Sequence, residues 1–105
     1  MSDNLPLSEQ YRIVAKSWVD AEAAASLLED TKSAFLSQKM AALGDMPVSK
    51  AEMNVKASGE WTQYVEQMIE SRKRANRLKV QLEYLRMRSS EWQSAEASKR
   101  AEMRL

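Results

Sequence analysis

The C-terminal stretch of the chain decides its fold, because nothing in it would interrupt a helix. Residues 60–105 read EWTQYVEQMIESRKRANRLKVQLEYLRMRSSEWQSAEASKRAEMRL. Neither glycine nor proline occurs after Gly59, and the residues with the smallest cost of entering a helix dominate the stretch. We therefore expect one long helix over residues 60–100, followed by a fraying tail at 101–105.

The preceding residues predict a first long helix, a turn and a short second helix. Ser8 is a suitable N-cap for a helix over 8–43, and Gly44 supplies a left-handed stop. The sequence Ser49-Lys50-Ala51-Glu52 has the pattern of a capping box, which predicts a helix over 50–58. Gly59 then produces either a kink or a short break. Within this single helical domain, we expect a flexible arm at 1–7 and a turn at 44–49.

The long C-terminal helix carries two apolar stripes at helical spacing. The first, the core stripe, contains Met68, Ala75, Leu78, Leu82, Leu85, Ser89 and Trp92. The second stripe lies on roughly the opposite side and contains Ile69, Val80, Tyr84 and Met87. A hairpin with helix 1, whose own stripe runs from Tyr11 to Phe35, covers only one of them. Apolar surface left over in this way usually meets another chain.

These patterns predict an all-α fold, namely a long, antiparallel, coiled-coil-like helical hairpin. Because the second stripe has no place in a single hairpin, we expect the hairpin to assemble into a helical-bundle homo-oligomer, most simply a dimer. Val80, Tyr84 and Met87 are the first candidates for the protein interface. Trp92, which lies beyond the end of helix 1, and Trp61, which lies beside Gly59, are further candidates because aromatic residues often anchor partners.

Charge is distributed unevenly although the net value is only +1. Most of the acidic residues lie before residue 70, whereas basic residues dominate after it. Between positions 72 and 88 a single acid, Glu83, stands among seven basic residues: Arg72, Lys73, Arg74, Arg77, Lys79, Arg86 and Arg88.

The basic segment has two interpretations. In the first, its cations pair with acidic residues of another subunit or of helix 1, as flanking charges do in coiled coils. The acidic region of helix 1 that a hairpin brings opposite the segment contains Asp20, Glu22, Glu29 and Asp30. In the second, they contact the phosphates of a nucleic acid, with steeply salt-dependent affinity. The near-zero net charge favours the first interpretation.

Composition argues against an enzyme. The chain contains no histidine and no cysteine, so it lacks the commonest general base, the commonest metal ligand and any thiolate. It also lacks a phosphate-binding glycine loop, since its two glycines, Gly44 and Gly59, lie too far apart. We expect no catalytic activity, no cofactor, no metal and no small-molecule substrate.

Nothing in the sequence predicts a membrane protein. The N-terminal MSDNLPLSEQ lacks the basic and apolar regions of a signal peptide. No apolar stretch approaches the roughly 18–20 residues of a membrane span. We therefore expect a cytoplasmic location.

Three stretches resemble small uncharacterised bacteriophage and prophage proteins: SWVDAEAAASLLEDTKSA (17–34), SQKMAALGDMPVSKAEM (37–53) and LEYLRMRSSEWQSAEASKRAEMRL (82–105). The resemblance covers most of the chain and implies a helical protein from an early or DNA-metabolism gene neighbourhood, in the host cytoplasm. It carries no catalytic motif. We expect a non-enzymatic adaptor, regulator or inhibitor that acts through a helical surface on another protein. The alternative is a nucleic-acid-binding accessory protein of phage recombination or replication that uses residues 72–88.

Overall fold

A computed structural model describes residues 4–104, and every regular element in that range except a short 3₁₀ segment at Asn4 is an α-helix. The all-α prediction is therefore confirmed for the described residues. The predicted arm lies partly outside this range, as does Leu105 of the predicted tail. The four helices are α1 (Leu7–Asp30), α2 (Lys32–Ala41), α3 (Val48–Lys56) and α4 (Gly59–Arg104).

Helix α1 begins at Leu7, so the prediction that Ser8 caps it was wrong. The backbone carbonyl of Pro6 accepts hydrogen bonds from the amides of Glu9 and Gln10, both at 3.0 Å. Proline fixes φ near its helical value and needs no amide partner, which suits it to the residues that start a helix. Ser8 consequently lies within the first turn.

The predicted continuous helix over 8–43 was also wrong, because Thr31 separates α1 from α2. The Thr31 hydroxyl donates to the Leu27 carbonyl at 2.7 Å, and the Tyr64 hydroxyl donates to the Leu28 carbonyl at 2.6 Å. The backbone bonds from Thr31 to Leu27 and from Phe35 to Thr31 still form. A threonine that bonds back to the preceding turn bends a helix, and this one ends α1.

The left-handed conformation predicted for Gly44 is confirmed, but the turn spans residues 42–47 and not 44–49, because α2 ends at Ala41 and α3 begins at Val48. Gly44 has φ of 78°, and it is the one residue with positive φ among residues 4–104. Its amide donates to the Ala41 carbonyl at 3.2 Å. Glycine adopts this left-handed conformation without steric cost, so it ends the helix.

Helix α3 begins at Val48 without the predicted capping box. The Pro47 carbonyl accepts from the Ala51 amide at 2.9 Å, and no side chain caps the helix. Pro47 has φ of −54°, so its rigid ring directs the chain into the helix before Ser49 is reached. Glu52 instead forms an ion pair with Lys56 at 2.8 Å.

A break, rather than a kink, separates α3 from α4. Ala57 and Ser58 lie between the two helices, and the Ser58 hydroxyl oxygen accepts from the Trp61 amide at 3.2 Å. Ser58 thus satisfies an amide of the first turn of α4, as an N-cap does. Helix α4 runs from Gly59 to Arg104, so it extends past both predicted bounds, 60 and 100, and into the predicted tail.

The chain forms two compact units. One unit, the terminal unit, joins the segment that ends at Val19 to the segment that begins at Asn76. The other, the central unit, comprises Asp20–Ala75. The single helical domain stays a prediction, and the units are described separately below.

Small residues form most of the core of the central unit. Ala25 and Ala75 are completely buried, and Ala21, Ala51 and Val55 are nearly so. Short side chains allow backbones to approach closely. Along α4, Tyr64 contacts Leu28 and Arg72 contacts Glu22, so that α4 numbers rise as α1 numbers fall. The two segments therefore run antiparallel within this unit.

Leucines form the core of the terminal unit. Leu82 and Leu85 are buried, while Leu78 and Ser89 are half-buried. These four residues belong to the predicted core stripe, and their burial confirms its inward orientation in this unit. The Tyr11 hydroxyl of α1 accepts from Arg86 of α4 at 3.3 Å.

Candidate interaction surfaces

The face of α4 opposite the core stripe is exposed and partly apolar. In the terminal unit, the exposed fractions of Val80, Tyr84 and Met87 are 64%, 55% and 62%. They follow an i, i+4, i+7 spacing, which places them side by side on one face. We call these three residues the outer patch. In the central unit, the fourth member of the second stripe, Ile69, is 46% exposed.

Trp92 departs from the rest of the core stripe. It is 61% exposed, although its stripe places it near the buried side of α4. Leu5 and Pro6 of the N-terminal segment lie across a groove from it. The sequence predicts this exposure, since Trp92 lies beyond the end of helix 1. Its role as an interface residue stays a prediction.

Trp61 lies in an aromatic cluster of the central unit. The rings of Phe35 and Tyr64 stack with 4.4 Å between centroids, and the Trp61 ring lies 6.2 Å from Phe35. The ammonium of Lys32 lies 5.6 Å from the centre of the Trp61 ring, within range of a cation–π interaction. Trp61 is thus half-buried by its own chain, and its proposed interface role stays a prediction.

Arg72 forms the main charged contact of the central unit. Its guanidinium bonds to the Glu29 carboxylate at 2.7 and 2.8 Å and to the Glu22 carboxylate at 2.5 Å. The hydrogen bonds from Arg72 hold the pKa of Glu29 below its ordinary value. The hydrogen bonds that Arg72 donates, to Glu29 first and then to Glu22, raise the pKa of Arg72 above its ordinary value. A guanidinium that bridges two carboxylates in this way fixes the geometry of both.

The remaining basic residues differ in their surroundings. Lys73 lies 3.6 Å from Glu70, one turn earlier on the same helix. The hydrogen bond to Tyr11 raises the pKa of Arg86. For the part of the chain that the structure describes, no ion pair involves Arg74, Arg77, Lys79 or Arg88. Of the seven cations, Arg72 alone pairs with acidic residues of α1 in the described range, since Lys73 pairs within α4 and Arg86 contacts the Tyr11 hydroxyl. The other four cations are exposed.

Among the contacts of the central unit that sequence reasoning missed are the stacking of Phe35 on Tyr64 and two polar contacts. The first is the pair of hydroxyls of Thr31 and Tyr64, which lie 2.8 Å apart. The second is the ion pair between Lys39 and Glu60. Both join residues far apart in the chain, so only the register between helices reveals them.

No cluster suited to a metal ion is present in residues 4–104, since no three acidic side chains converge there. The expectation that the protein is not an enzyme stays a prediction. In the same range, no helix is both long enough and apolar enough to cross a bilayer.

Comparisons with protein-family models, with curated proteins and with solved structures gave no match. The resemblance to phage and prophage proteins therefore stays a prediction.

Proposed function

We propose that this chain is a non-enzymatic interaction protein, a phage-type adaptor, regulator or inhibitor that acts in the cytoplasm through a helical surface on another protein. One observation carries the proposal, namely the exposure of Val80, Tyr84 and Met87 on the face of α4 opposite its core. Burial of valine and methionine side chains away from water lowers the free energy. Tyrosine is enriched at interfaces between proteins.

The spacing of the outer patch suits a helical recognition mode. Amphipathic helices bind grooves or other helices through anchors at i, i+4 and i+7 positions. Val80, Tyr84 and Met87 occupy those positions on a helix whose other side is held by Leu82 and Leu85. The buried side keeps the patch presented on a regular backbone, which lowers the entropy cost of binding.

The outer patch also supports self-association. The antiparallel order of contacts in the central unit favours a helical hairpin, and two hairpins can pack as a four-helix bundle. In such a dimer, the outer patch of one chain covers that of its partner about a twofold axis.

Analytical ultracentrifugation tests the self-association proposal. We expect the wild type to sediment as a dimer or larger oligomer at about 10 μM, within the μM range of ordinary protein affinities. Replacement of Val80, Tyr84 and Met87 by Gln should yield a monomer with unchanged helical circular dichroism. Val19→Gln is a matched control, because Val19 is 57% exposed on α1. A wild type that stays monomeric contradicts the oligomer.

A pull-down from the native host cytosol, with the wild type and the triple Gln variant in parallel, tests the wider proposal. The partner should be retained by the wild type and by Val19→Gln, and lost with the triple variant. Retention by all three proteins would show that the outer patch is not the binding surface.

Binding of nucleic acid is the second candidate function. Arg77, Lys79 and Arg88 favour it, because none of them has an ion-pair partner in the described range. Three phosphate contacts would give a salt dependence of log K near −2 to −3. Anisotropy of a labelled oligonucleotide at low salt tests this reading, with the three residues replaced by Ala. Absent binding, or binding that the replacements leave unchanged, excludes it.

A further inference from the structure

A groove in the terminal unit remains outside the function proposed above. Its volume is about 670 Å³, within the range typical of ligand sites. One wall is the N-terminal segment with Leu5 and Pro6, and the other is the part of α4 that contains Arg88 and Trp92. None of the outer-patch residues lines it.

Hydrogen bonds hold the N-terminal wall in place. The side-chain amide of Gln10 donates to the Leu5 carbonyl at 2.7 Å. The Pro6 carbonyl accepts from the amides of Glu9 and Gln10. The opposite wall belongs to a regular helix. The groove is therefore formed before any ligand arrives, which reduces the entropy cost of binding.

The lining combines apolar surface with one positive charge. Leu5, Pro6 and Trp92 supply the apolar part. Arg88 is the single charged residue of the lining, and no carboxylate from the described residues neutralises it. Charge complementarity thus favours an occupant with an anionic group next to an apolar one.

Uncharged polar side chains identify the occupant further. The side chains of Ser8, Ser89 and Gln93 line the groove, and none forms a hydrogen bond to another group in residues 4–104. Each offers both donors and acceptors. A peptide backbone needs both kinds of group, whereas an acyl chain uses neither.

We propose that this groove binds a peptide segment of a partner protein in which an apolar side chain stands beside a carboxylate. The apolar side chain packs on Trp92 and Leu5. The carboxylate pairs with the fork-shaped guanidinium of Arg88, and the peptide backbone bonds to Ser8, Ser89 and Gln93.

Titration of the full-length, ¹⁵N-labelled protein with the capped peptide acetyl-Glu-Leu-Phe-Glu-amide tests the proposal. We expect the indole N–H signal of Trp92 and the side-chain amide signal of Gln93 to shift saturably. The matched acetyl-Gln-Leu-Phe-Gln-amide should bind about tenfold more weakly, as a lost charge-assisted hydrogen bond implies. In Arg88→Glu the preference should reverse, so that acetyl-Lys-Leu-Phe-Lys-amide binds best.

Several results would overturn the proposal. Equal shifts with the acidic and neutral peptides, or shifts of residues outside the groove, would exclude recognition of a carboxylate there. Octanoate that binds as tightly as the acidic peptide would exclude a peptide as the specific occupant. A dT10 oligonucleotide that binds where the peptide does not would exclude a peptide as well. The triple Gln variant of the outer patch should still bind the peptide. That control separates a failure of the groove from a failure of the function proposed for the outer patch.

Discussion

Two hydroxyl groups determine where α1 ends. Thr31 bonds back to Leu27, and Tyr64 reaches the neighbouring carbonyl of Leu28 from α4. The hydroxyls also lie 2.8 Å from each other, so the interruption and the contact between helices form one polar network. The site of the helix break is thus set partly by a residue more than thirty positions away in the chain.

Tyr64→Phe should therefore destabilise the protein while its ring still stacks on Phe35. The change removes the hydrogen bond to Leu28 and the contact with Thr31, and we expect a loss of about 1 kcal/mol in the free energy of unfolding. Urea denaturation followed by circular dichroism measures it. At submicromolar concentration, where the proposed oligomer dissociates, Tyr84→Phe is the control, since Tyr84 is 55% exposed and its hydroxyl has no intrachain partner in the described range. Equal losses in both variants would contradict the network.

The two glycines should respond oppositely to alanine. Gly44→Ala forces a side chain into φ of 78°, at a cost of about 1–2 kcal/mol, although no atom lies within 4 Å of the added Cβ. Gly59 is the first residue of α4, and no atom lies within 4 Å of a Cβ added there. We therefore expect Gly59→Ala to leave the free energy of unfolding unchanged or to raise it by up to about 1 kcal/mol. Thermal melts of both variants check the signs. A Gly59→Ala variant that melts at a lower temperature than the wild type would contradict this expectation, because nothing at Gly59 in the structure disfavours a side chain.

The helix starts show why caps were predicted incorrectly from the sequence. Ser8 and Ser49 both match cap patterns, yet α1 and α3 begin before them. In both cases a proline precedes the helix, and its backbone carbonyl accepts the first hydrogen bonds. Pro6 and Pro47 carry the sequence signal for these starts, because proline is favoured where a helix begins.

At the scale of elements, the part of α4 in the terminal unit has one buried apolar face and one exposed apolar face. Leu85 is buried and Met87, two positions later, is 62% exposed. Apolar periodicity correctly predicted the burial of Leu82 and Leu85, because a regular helix turns by about 100° per residue and fixes which residues share a face. Trp92, of the same stripe, is exposed. Periodicity could not predict the stacking of aromatic rings in the central unit, which depends on how α2 and α4 align.

Leu85→Ala and Met87→Ala should differ sharply as a result. Removal of the buried leucine side chain costs about 2–5 kcal/mol. Removal of the exposed methionine should change stability by less than about 0.5 kcal/mol in dilute protein. Chemical denaturation at submicromolar concentration compares the two. Similar losses would mean that the outer face is packed within its own chain.

The contact between α1 and α4 in the central unit should make stability depend on acid. The pKa of Glu29 is lowered in the folded protein, so its contribution is complete above its ordinary value of about 4.5 and is lost as pH falls through the lower folded pKa. Wild type and Glu29→Gln should therefore differ in melting temperature at pH 7 and converge near pH 2.

Glu66→Gln is the control for this pH dependence, since Glu66 forms no ion pair in residues 4–104. Its melting curve should follow the wild type at both pH values. A Glu29→Gln variant whose difference from wild type persists near pH 2 would show that packing, and not charge, accounts for the effect.

For the whole molecule, self-association should couple stability to concentration. Binding of a second chain to the folded state stabilises it by mass action. We expect the wild-type melting temperature to rise between about 1 and 100 μM, and that of the triple Gln variant of Val80, Tyr84 and Met87 to stay constant. A wild-type melting temperature independent of concentration would contradict the proposed homo-oligomer.

The all-α class of the described residues could be predicted from composition and from the position of Gly44. The division into two units could not be. The division depends on which apolar residues contact each other. A periodic pattern shows on which face of its helix a residue lies, but it does not show which residue of another helix it contacts. The groove beside Trp92 could not be predicted for the same reason, because its other wall is formed by Leu5 and Pro6, which lie far from Trp92 in the sequence.

The connectivity of the two units implies an order of events during synthesis. The central unit is continuous in sequence, so all of its segments have left the ribosome once Ala75 has emerged. The terminal unit joins segments that lie on either side of the central unit in the sequence, and its contact from Tyr11 to Arg86 spans 75 positions. Because domains can begin to fold as they emerge, the N-terminal half of α1 must wait for its partner until the residues around Arg86 have also been translated. During that interval, the apolar positions of this half of α1 are open to chaperones and to neighbouring nascent chains.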